Sequence, residues 1–400
     1  MEEWKEYRLG EIGTIVGGAT PSTKDVSNYD GNISWLTPKD LSIHTERYIK
    51  RGERMISLKG YNSCSCKMLP KGSILFSSRA PIGYVAIASK ELCTNQGFKS
   101  IIPFKEKVDS LFLYYLLIYN RKKIEGLGSG TTFKEVSLKV MQNVKVSIPS
   151  LTVQQNIASI LSSLDSKIEI NNKINSNLEE QAKALFKSWF IDFEPFKDEK
   201  FVDSELGMIP EGWKVVTIGE VTDNIKEKVG DRDSIKVLSP VSSGHLVLSE
   251  EYFSKQVFSS SIAKYIVVKH NDFAYNPARI NIGSIGMNEF EFDGCVSPVY
   301  VVFRCQSGYE YFFDLYRRTS YFIEEVKKRA IGGVRQTLSY KDLSLIQLIY
   351  PPKKVVDAFN FIYISFIHGI HSNNVSNKKL EAIRDTLLPK LMSGEIEVKS

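Results

Sequence analysis

Acid, thiol and imidazole side chains occur at a few spacings that could support chemistry. Cys64 and Cys66, in C-S-C, could form half of a thiolate metal site, but no histidine lies close by in sequence to complete it. Asp314 and the run Glu325-Val326-Lys327 offer acid, acid and lysine, a set that can hold Mg²⁺ and a water. That stretch reads as helix, with these residues as solvated charges flanking Tyr311, Leu315 and Phe322. His368 and His371 stand three apart on a helix, a spacing that can bind metal, yet both fall off the apolar seam onto a solvated face. GGATPST at 17–23 lacks the lysine of a G-x-x-x-x-G-K-[ST] phosphate loop. GLGSG at 126–130 closes a helix instead of opening one. Asn276-Pro277-Ala278-Arg279 is not the Asn/Asp-Pro-Pro-aromatic loop that holds a target amine in an amino-methyltransferase. The residue types therefore predict no catalytic centre and no metal site.

Composition bounds the alternatives. The chain has 400 residues, 42% apolar and 24% charged, an ordinary soluble profile with length for about two to four domains. Lys and Arg number 52 against 46 acidic residues, a net charge of +6. The pI of about 8.8 lies below the value of about 9 that flags a nucleic-acid binder by itself, so such a signal must come from placement. No apolar run approaches the ~18 residues that span a membrane, and MEEWKEYRLGE is acidic where a signal peptide has an apolar core. Cys64, Cys66, Cys93, Cys295 and Cys305 lack disulfide-framework spacing, so a cytoplasmic setting is expected.

The elements that must position any site come in two copies. WKEYRLGEI from Trp4 is echoed by WKVVTIGEV from Trp213. GTTFKEVSLKVMQNVKVSIPS from Gly130 aligns with the block from Gly332, pairing Val136-Ser137 with Leu338-Ser339 and Pro149 with Pro351. The long helical patterns that follow keep the same offset, with Leu178-Glu179 on Leu380-Glu381. Two copies are too few for a solenoid and predict a pseudo-twofold molecule. Each half begins with strand signals: SILFSS, YVAIA and SIIPF in the first, YIVVKH, DFAYN and PVYVVF in the second. One short helix, capped by Gly126 or Gly332, then closes the globular part. A last strand, NVKVSIP or LIQLIYP, leads into the long helix. The expected layout is residues 1–150, a spacer helix over 151–193, connector and second globular domain over 194–352, and a second spacer over 353–400.

In the first long helix a heptad seam runs Ile157, Leu161, Leu164, Ile168, Asn171, Asn175, Leu178, Ala182, Leu185, Trp189. The second gives Phe359, Tyr363, Phe366, Ile370, Asn373, Asn377, Leu380, Arg384, Leu387, Leu391. Antiparallel packing brings the four Asn into one layer, which costs stability but fixes register. The alternative is a drifting seam filled by Ile170, Ile174 and Val375. Helices of this length span roughly 55 Å. Dimeric DNA readers separate their modules by about 34–36 Å or multiples, so two modules on such a ruler could read two short sequences with a fixed gap.

This order of parts resembles the DNA specificity subunits of type I restriction-modification systems over nearly the whole chain. ATPSTK at 19–24, WLTPKDL at 35–41, SSRAPIGYVAIASKELCTNQGF at 77–98, SELGMIPEGWK at 204–214, AYNPARINIGSIG at 274–286 and CVSPVYVVF at 295–303 carry the likeness. The resemblance implies an α+β fold: two mixed-sheet target recognition domains separated by two long helices in an antiparallel coiled coil. It implies a non-catalytic subunit that reads a bipartite site in double-stranded DNA, one block per domain. Its helices would dock two methyltransferase (modification) subunits, which restriction (translocase and endonuclease) subunits join. The chain would bind no cofactor; S-adenosylmethionine, ATP and Mg²⁺ would sit on those partners.

Arg reads guanine, Asn or Gln reads adenine, Ser or Thr reads either, and Lys with small hydroxyls holds phosphates. The candidate readers in the first half are Thr20, Ser22, Lys24, Trp35, Lys39, Ser78, Arg79, Lys99, Thr131, Thr132 and Lys134. In the second half they are Ser242, Ser243, His245, Tyr275, Asn276, Arg279, Asn281, Arg335 and Gln336. The Gly-flanked loops at 126–134 and 330–336 recur at equivalent places, just after basic helix ends. A surface Lys is more often merely solvated, and a strand Trp more often core. Two rival functions are a non-DNA scaffold with two interaction modules on a coiled coil, and a standalone nuclease or methyltransferase. Salt dependence of binding separates the first, and activity of the isolated chain the second.

Overall fold

The computed structural model describes residues 4–130, 134–232, 234–253, 255, 258–259, 261–330 and 337–398. The chain divides into two compact units, Met1–Ile174 with His371–Ser400, and Asn175–Ile370.

In the first unit a five-stranded sheet runs in the order Gly13–Gly17, Lys99–Pro103, Ile74–Ser78, Ile82–Ala88, Tyr48–Ile49. Its pairings are antiparallel except the last, which is parallel, so the sheet is mixed. A three-stranded sheet, Met55–Ile56, Tyr29–Leu36, Cys93–Thr94, packs beside it. The second unit holds a four-stranded antiparallel sheet, Thr222–Ile225, Val301–Cys305, Phe273–Tyr275, Ile285–Met287. Its other four-stranded sheet, Leu246–Leu248, Lys236–Pro240, Gly294–Val296, Ile266–Val268, is mixed. Each strand signal read from β-branched and aromatic runs forms a strand; Ile74–Ser78 and Phe273–Tyr275 are buried along their whole length, while Lys145–Ile148 alternates.

The repeat is visible at the edge of each unit. Lys5–Arg8 pairs antiparallel with Lys145–Ile148, and Lys214–Thr217 pairs antiparallel with Gln347–Tyr350. Trp4 and Trp213, the echoed residues, sit against the core of their own unit.

The closing helix is broken in both halves, where one continuous helix was expected. In the first, Ser110–Tyr119 and Arg121–Gly126 meet at Asn120, whose side chain donates back to the Leu116 carbonyl (2.8 Å). In the second, Glu310–Tyr316 and Ser320–Arg329 are separated where Thr319 caps the new helix, its hydroxyl accepting from Phe322 N (3.3 Å). Gly126 is the last helical residue and takes no left-handed cap; Leu127 follows at φ −87°. Gly332 lies outside the described residues.

The two long helices are Leu151–Phe190 and Lys353–Met392, 40 residues each, or about 60 Å. Within the first unit they run antiparallel: Asn171 Nδ2 donates to Asn377 Oδ1 (2.8 Å), Asn377 Nδ2 to Asn172 Oδ1 (2.8 Å), and Arg384 pairs with Asp165 (2.8 Å). Within the second unit Phe359 stacks edge-on to Trp189 and Phe190. Asn171, Asn175 and Asn377 are buried and Asn373 half-buried, while Ile170, Ile174 and Val375 face solvent. A polar contact of Asn171, Asn172 and Asn377 thus stands in the seam, and Ile170, Ile174 and Val375 do not fill it. The other seam positions are buried or half-buried, as their spacing requires. Toward the end of the first helix Phe186 and Phe190 are buried more deeply than Leu185 and Trp189, because a 3.6-residue turn drifts against a 3.5-residue repeat.

Candidate nucleic-acid interface

In the first unit the hairpin between Ile74–Ser78 and Ile82–Ala88 turns at Arg79-Ala80-Pro81, with a cis Ala80–Pro81 bond. The segment after Gly126 folds back onto it. Ser129 and Glu135 exchange backbone hydrogen bonds (3.1 and 2.9 Å), and Val136 N donates to the Ser78 carbonyl (3.0 Å). This puts the Glu135 carboxylate between two cations, 2.9 Å from Lys99 Nζ and 3.6 Å from Arg79. Lys99 Nζ also reaches Ser78 Oγ (3.3 Å), which donates to the Gly97 carbonyl (3.2 Å). Nearby, Ala19 is pinned by its N to Thr94 O (3.0 Å) and by Trp35 Nε1 to its own carbonyl (3.0 Å). These bonds hold the ATPSTK segment in place, and Thr20 bonds Gln96 through its side chain.

In the second unit two loops are locked together. Asn276 Oδ1 accepts from Ala278 N (3.0 Å), an Asx turn that starts the short 3-10 helix Ile280–Ile282. Gly283 follows at φ +90°, and a Cβ there would stand 2.8 Å from the Ser242 carbonyl, so only glycine fits. Ser284 Oγ donates to the Pro240 carbonyl (2.8 Å). Arg317 donates to both loops, to Ile285 O (3.0 Å) and Gly244 O (2.8 Å). Asp314 holds Arg317 at 2.5 Å and Arg318 at 2.7 Å. Burial alone would raise the Asp314 carboxyl, but these two guanidiniums hold it below the usual carboxylate range. Two hollows flank the turn. One, of about 370 Å³, is lined by Ser242, Asn276, Arg279, Tyr252, Tyr300 and others. Its neighbour, about 340 Å³, is lined by Ser242, Ser243, Asn281, Arg317, Arg318 and Lys327.

The candidate chemistries fare as follows. Asp314 is a buried structural ion-pair residue, not the solvated charge its helix pattern implied. Glu325 pairs with Lys328 (3.0 Å) and Arg329. His368 and His371 are exposed. Cys64 and Cys66 are free thiols in a small apolar cluster with Cys93 and Met68, where hydrogen bonding to Cys93 and burial push the Cys66 thiol up. Among the described residues no group of three or more His, Cys, Asp or Glu could hold a metal ion, and no helix is long and apolar enough to cross a membrane.

Residues 1–180 match the family model described as the type I restriction modification DNA specificity domain. The type I restriction enzyme MjaIX specificity subunit of Methanocaldococcus jannaschii is 34% identical, over 100% of this chain and 94% of that protein. The chain belongs to the type I specificity subunits. The HindI specificity subunit of Haemophilus influenzae is similar at 25% identity, over 99% of this chain and 100% of its own length. The fold matches the crystal structure of the type I restriction-modification S subunit from M. genitalium with a TM-score of 0.60 at 14% identity, covering 100% of this chain and 97% of that one. The fold is thus α+β, with mixed-sheet domains and two long helices, and the protein acts as a specificity subunit; the scaffold reading is not favoured.

Within this specificity subunit, the structure sorts the candidate readers by exposure. Ser242, Ser243, Asn276, Arg279 and Asn281 converge on the locked loops, and His245, 3.6 Å from Glu289, lies beside them. Ser22, Lys24, Lys39 and Lys134 are exposed and Thr20 and Arg79 half-buried, with Lys39 tied to Glu53 (2.8 Å). Four assignments need correction. Trp35, Ser78, Lys99 and Tyr275 are all buried, and their polar atoms are satisfied inside the unit, Tyr275 by donating to the Leu338 carbonyl (3.2 Å). They support the surface from beneath. Thr131, Thr132, Arg335 and Gln336 lie outside the described residues. Sequence reasoning missed Glu135 and Arg317, and weighed Lys327 only as part of a metal set. For Glu135 a signal existed: the repeat offset puts Thr337 in its place in the second half.

Proposed function

We propose that this chain has no catalytic activity of its own and reads a bipartite target in double-stranded DNA. Residues 1–150 read one block and residues 194–352 the other. The helices over 151–193 and 353–400 dock two modification subunits, and restriction subunits join that core. The chain binds no cofactor. S-adenosylmethionine sits on the modification subunits, and ATP with Mg²⁺ on the restriction subunits. One observation carries the reading: a chain that aligns along its length with specificity subunits contains its own architecture twice, with 40-residue helices and their preceding strands at one constant offset. Two readers in one polypeptide fit an asymmetric two-part site, and two equivalent helix segments fit two copies of one partner.

The test is methylation mapping of DNA from cells with and without this gene, with active modification subunits present. The expected outcome is loss of adenine methylation at one motif of two short blocks with a fixed gap. If no motif changes, the reading fails. Purified alone, the chain is expected to leave DNA unmethylated and uncut.

A further inference from the structure

The second unit presents Arg279 differently from Arg79, the cation of the corresponding turn in the first. Arg79 and Lys99 are both held by Glu135. The equivalent of Glu135 is Thr337, which brings no charge. Arg279 is exposed, and among the described residues no carboxylate pairs with it. Its backbone is fixed on both sides: Arg279 N donates to Asn276 O (2.9 Å), and Arg279 O accepts from Ile282 N (3.1 Å) and Ser284 N (3.1 Å). Ser284 is buried, and the turn is bolted to the 240–244 loop through Ser284 and Gly283 and to the buried Asp314–Arg317 pair. An unpaired guanidinium on a rigid turn is preorganised for bidentate recognition, since little backbone order is lost on binding. The turn lies between the two hollows, Arg279 lining the first and Asn281 the second.

We propose that Arg279 is a specificity-determining residue of the second recognition domain and reads a guanine through its O6 and N7 atoms in the major groove. This rests on the reading that the second unit contacts DNA. A guanine offers two acceptors side by side, the pattern a guanidinium fork matches, whereas adenine offers one acceptor and one donor there. The block read by the second domain therefore contains a G·C pair, and Arg279 sets the preference at that one position.

The experiment maps methylation with the full-length chain and its modification subunits, comparing wild type with Arg279→Ala and Arg279→Gln. In Arg279→Ala one G·C position of the second block becomes degenerate, with discrimination there reduced about 10- to 100-fold, and the first block is unchanged. In Arg279→Gln the preference at the same position moves toward adenine. If the wild type methylates a bipartite motif and both variants methylate the identical motif, the proposal is wrong while the function stands. A change in the first block, or a uniform loss at all sites with no position made degenerate, also overturns it, because phosphate contact weakens all sequences alike. If the wild type itself methylates no bipartite motif, the functional reading has failed instead.

Discussion

The two units dock a globular part onto the same two helices with opposite chemistry. In the first, Asp165 is buried on the first long helix, where it accepts from Tyr115 Oη (2.6 Å) and pairs with Arg384 of the second (2.8 Å). Arg47 lies alongside, bonded to Glu169 (2.9 and 3.0 Å) and to Ser166 Oγ (2.7 Å). Burial, reinforced by the charge of Asp165, pushes the Tyr115 hydroxyl up. In the second unit the repeat offset puts Ile367 in the place of Asp165 and Ala182 in the place of Arg384. Both belong to an aromatic core in which Phe190 lies 4.9 Å from Phe359 and 5.0 Å from Phe312. An ion pair thus occupies one copy and an apolar pair the other. A buried ion pair stabilises little more than apolar side chains of similar volume, but either partner set in an apolar site is costly. We read the difference as the device that tells the two ends of a near-symmetric helix pair apart.

The largest expected effect is in the apolar clamp. Phe190→Ala removes a ring from the centre of the aromatic core and is expected to cost about 3–5 kcal/mol. Urea unfolding followed by the fluorescence of Trp189 and Trp213 reads it; a cost below about 1 kcal/mol would be a surface effect, and the cluster would not be the clamp. Asp165→Ala is expected to cost about 3 kcal/mol, below the upper value for a broken buried pair because Arg384 is 28% exposed. Copying Ile367 and Ala182 of the second unit into the first, with Asp165→Ile and Arg384→Ala, and removing the stranded hydroxyl with Tyr115→Phe, is expected to recover most of that loss. A triple variant no more stable than Asp165→Ala would show that the two chemistries are not interchangeable.

The turns differ in the same way, so Glu135→Thr copies the second into the first. It is expected to cost about 1–2 kcal/mol by leaving the buried Lys99 without its carboxylate, and to steepen the log–log salt dependence of DNA affinity by about one by freeing Arg79. An unchanged slope would mean that Arg79 faces no phosphate. The smallest effect is acidic. Burial alone would raise the Glu169 carboxyl, but Arg47 pulls it below its ordinary 4.5. A depressed carboxyl contributes stability that is present above its unfolded value and lost as pH falls through the lower folded one. The polar clamp should therefore weaken as pH drops below 4.5. Glu169→Gln should flatten that acid limb in thermal melts; parallel limbs in variant and wild type would rule out the assignment.

The repeat, the long helices, the strand segments and the Asn171–Asn377 seam contact were legible because each is a pattern of period or offset along the chain. The docking chemistry was only half so. Arg384 interrupts an apolar seam series, which signals a buried partner, but Asp165 lies beside the seam and reads as a solvated charge. Nothing local links the two across the chain. The same limit explains Trp35, Ser78, Lys99 and Tyr275. A buried lysine depends on a carboxylate distant in sequence, and the one signal at Glu135, the uncharged Thr337 at its offset, does not name Lys99 as the partner. The turn carrying Asn276 and Arg279 was legible, since Asx turns and glycines mark their own loops.

The border between the two compact units falls inside both long helices, at residues 174–175 and 370–371, with no loop at either crossing. Starting a helix is costly and extending one is not. A unit that has folded therefore hands its neighbour two helices already begun, each needing only to lengthen by one residue at a time. Fraying in either unit must likewise run along the same two rods. The halves are therefore expected to melt as one, and a calorimeter should record one transition where the sequence repeat would suggest two.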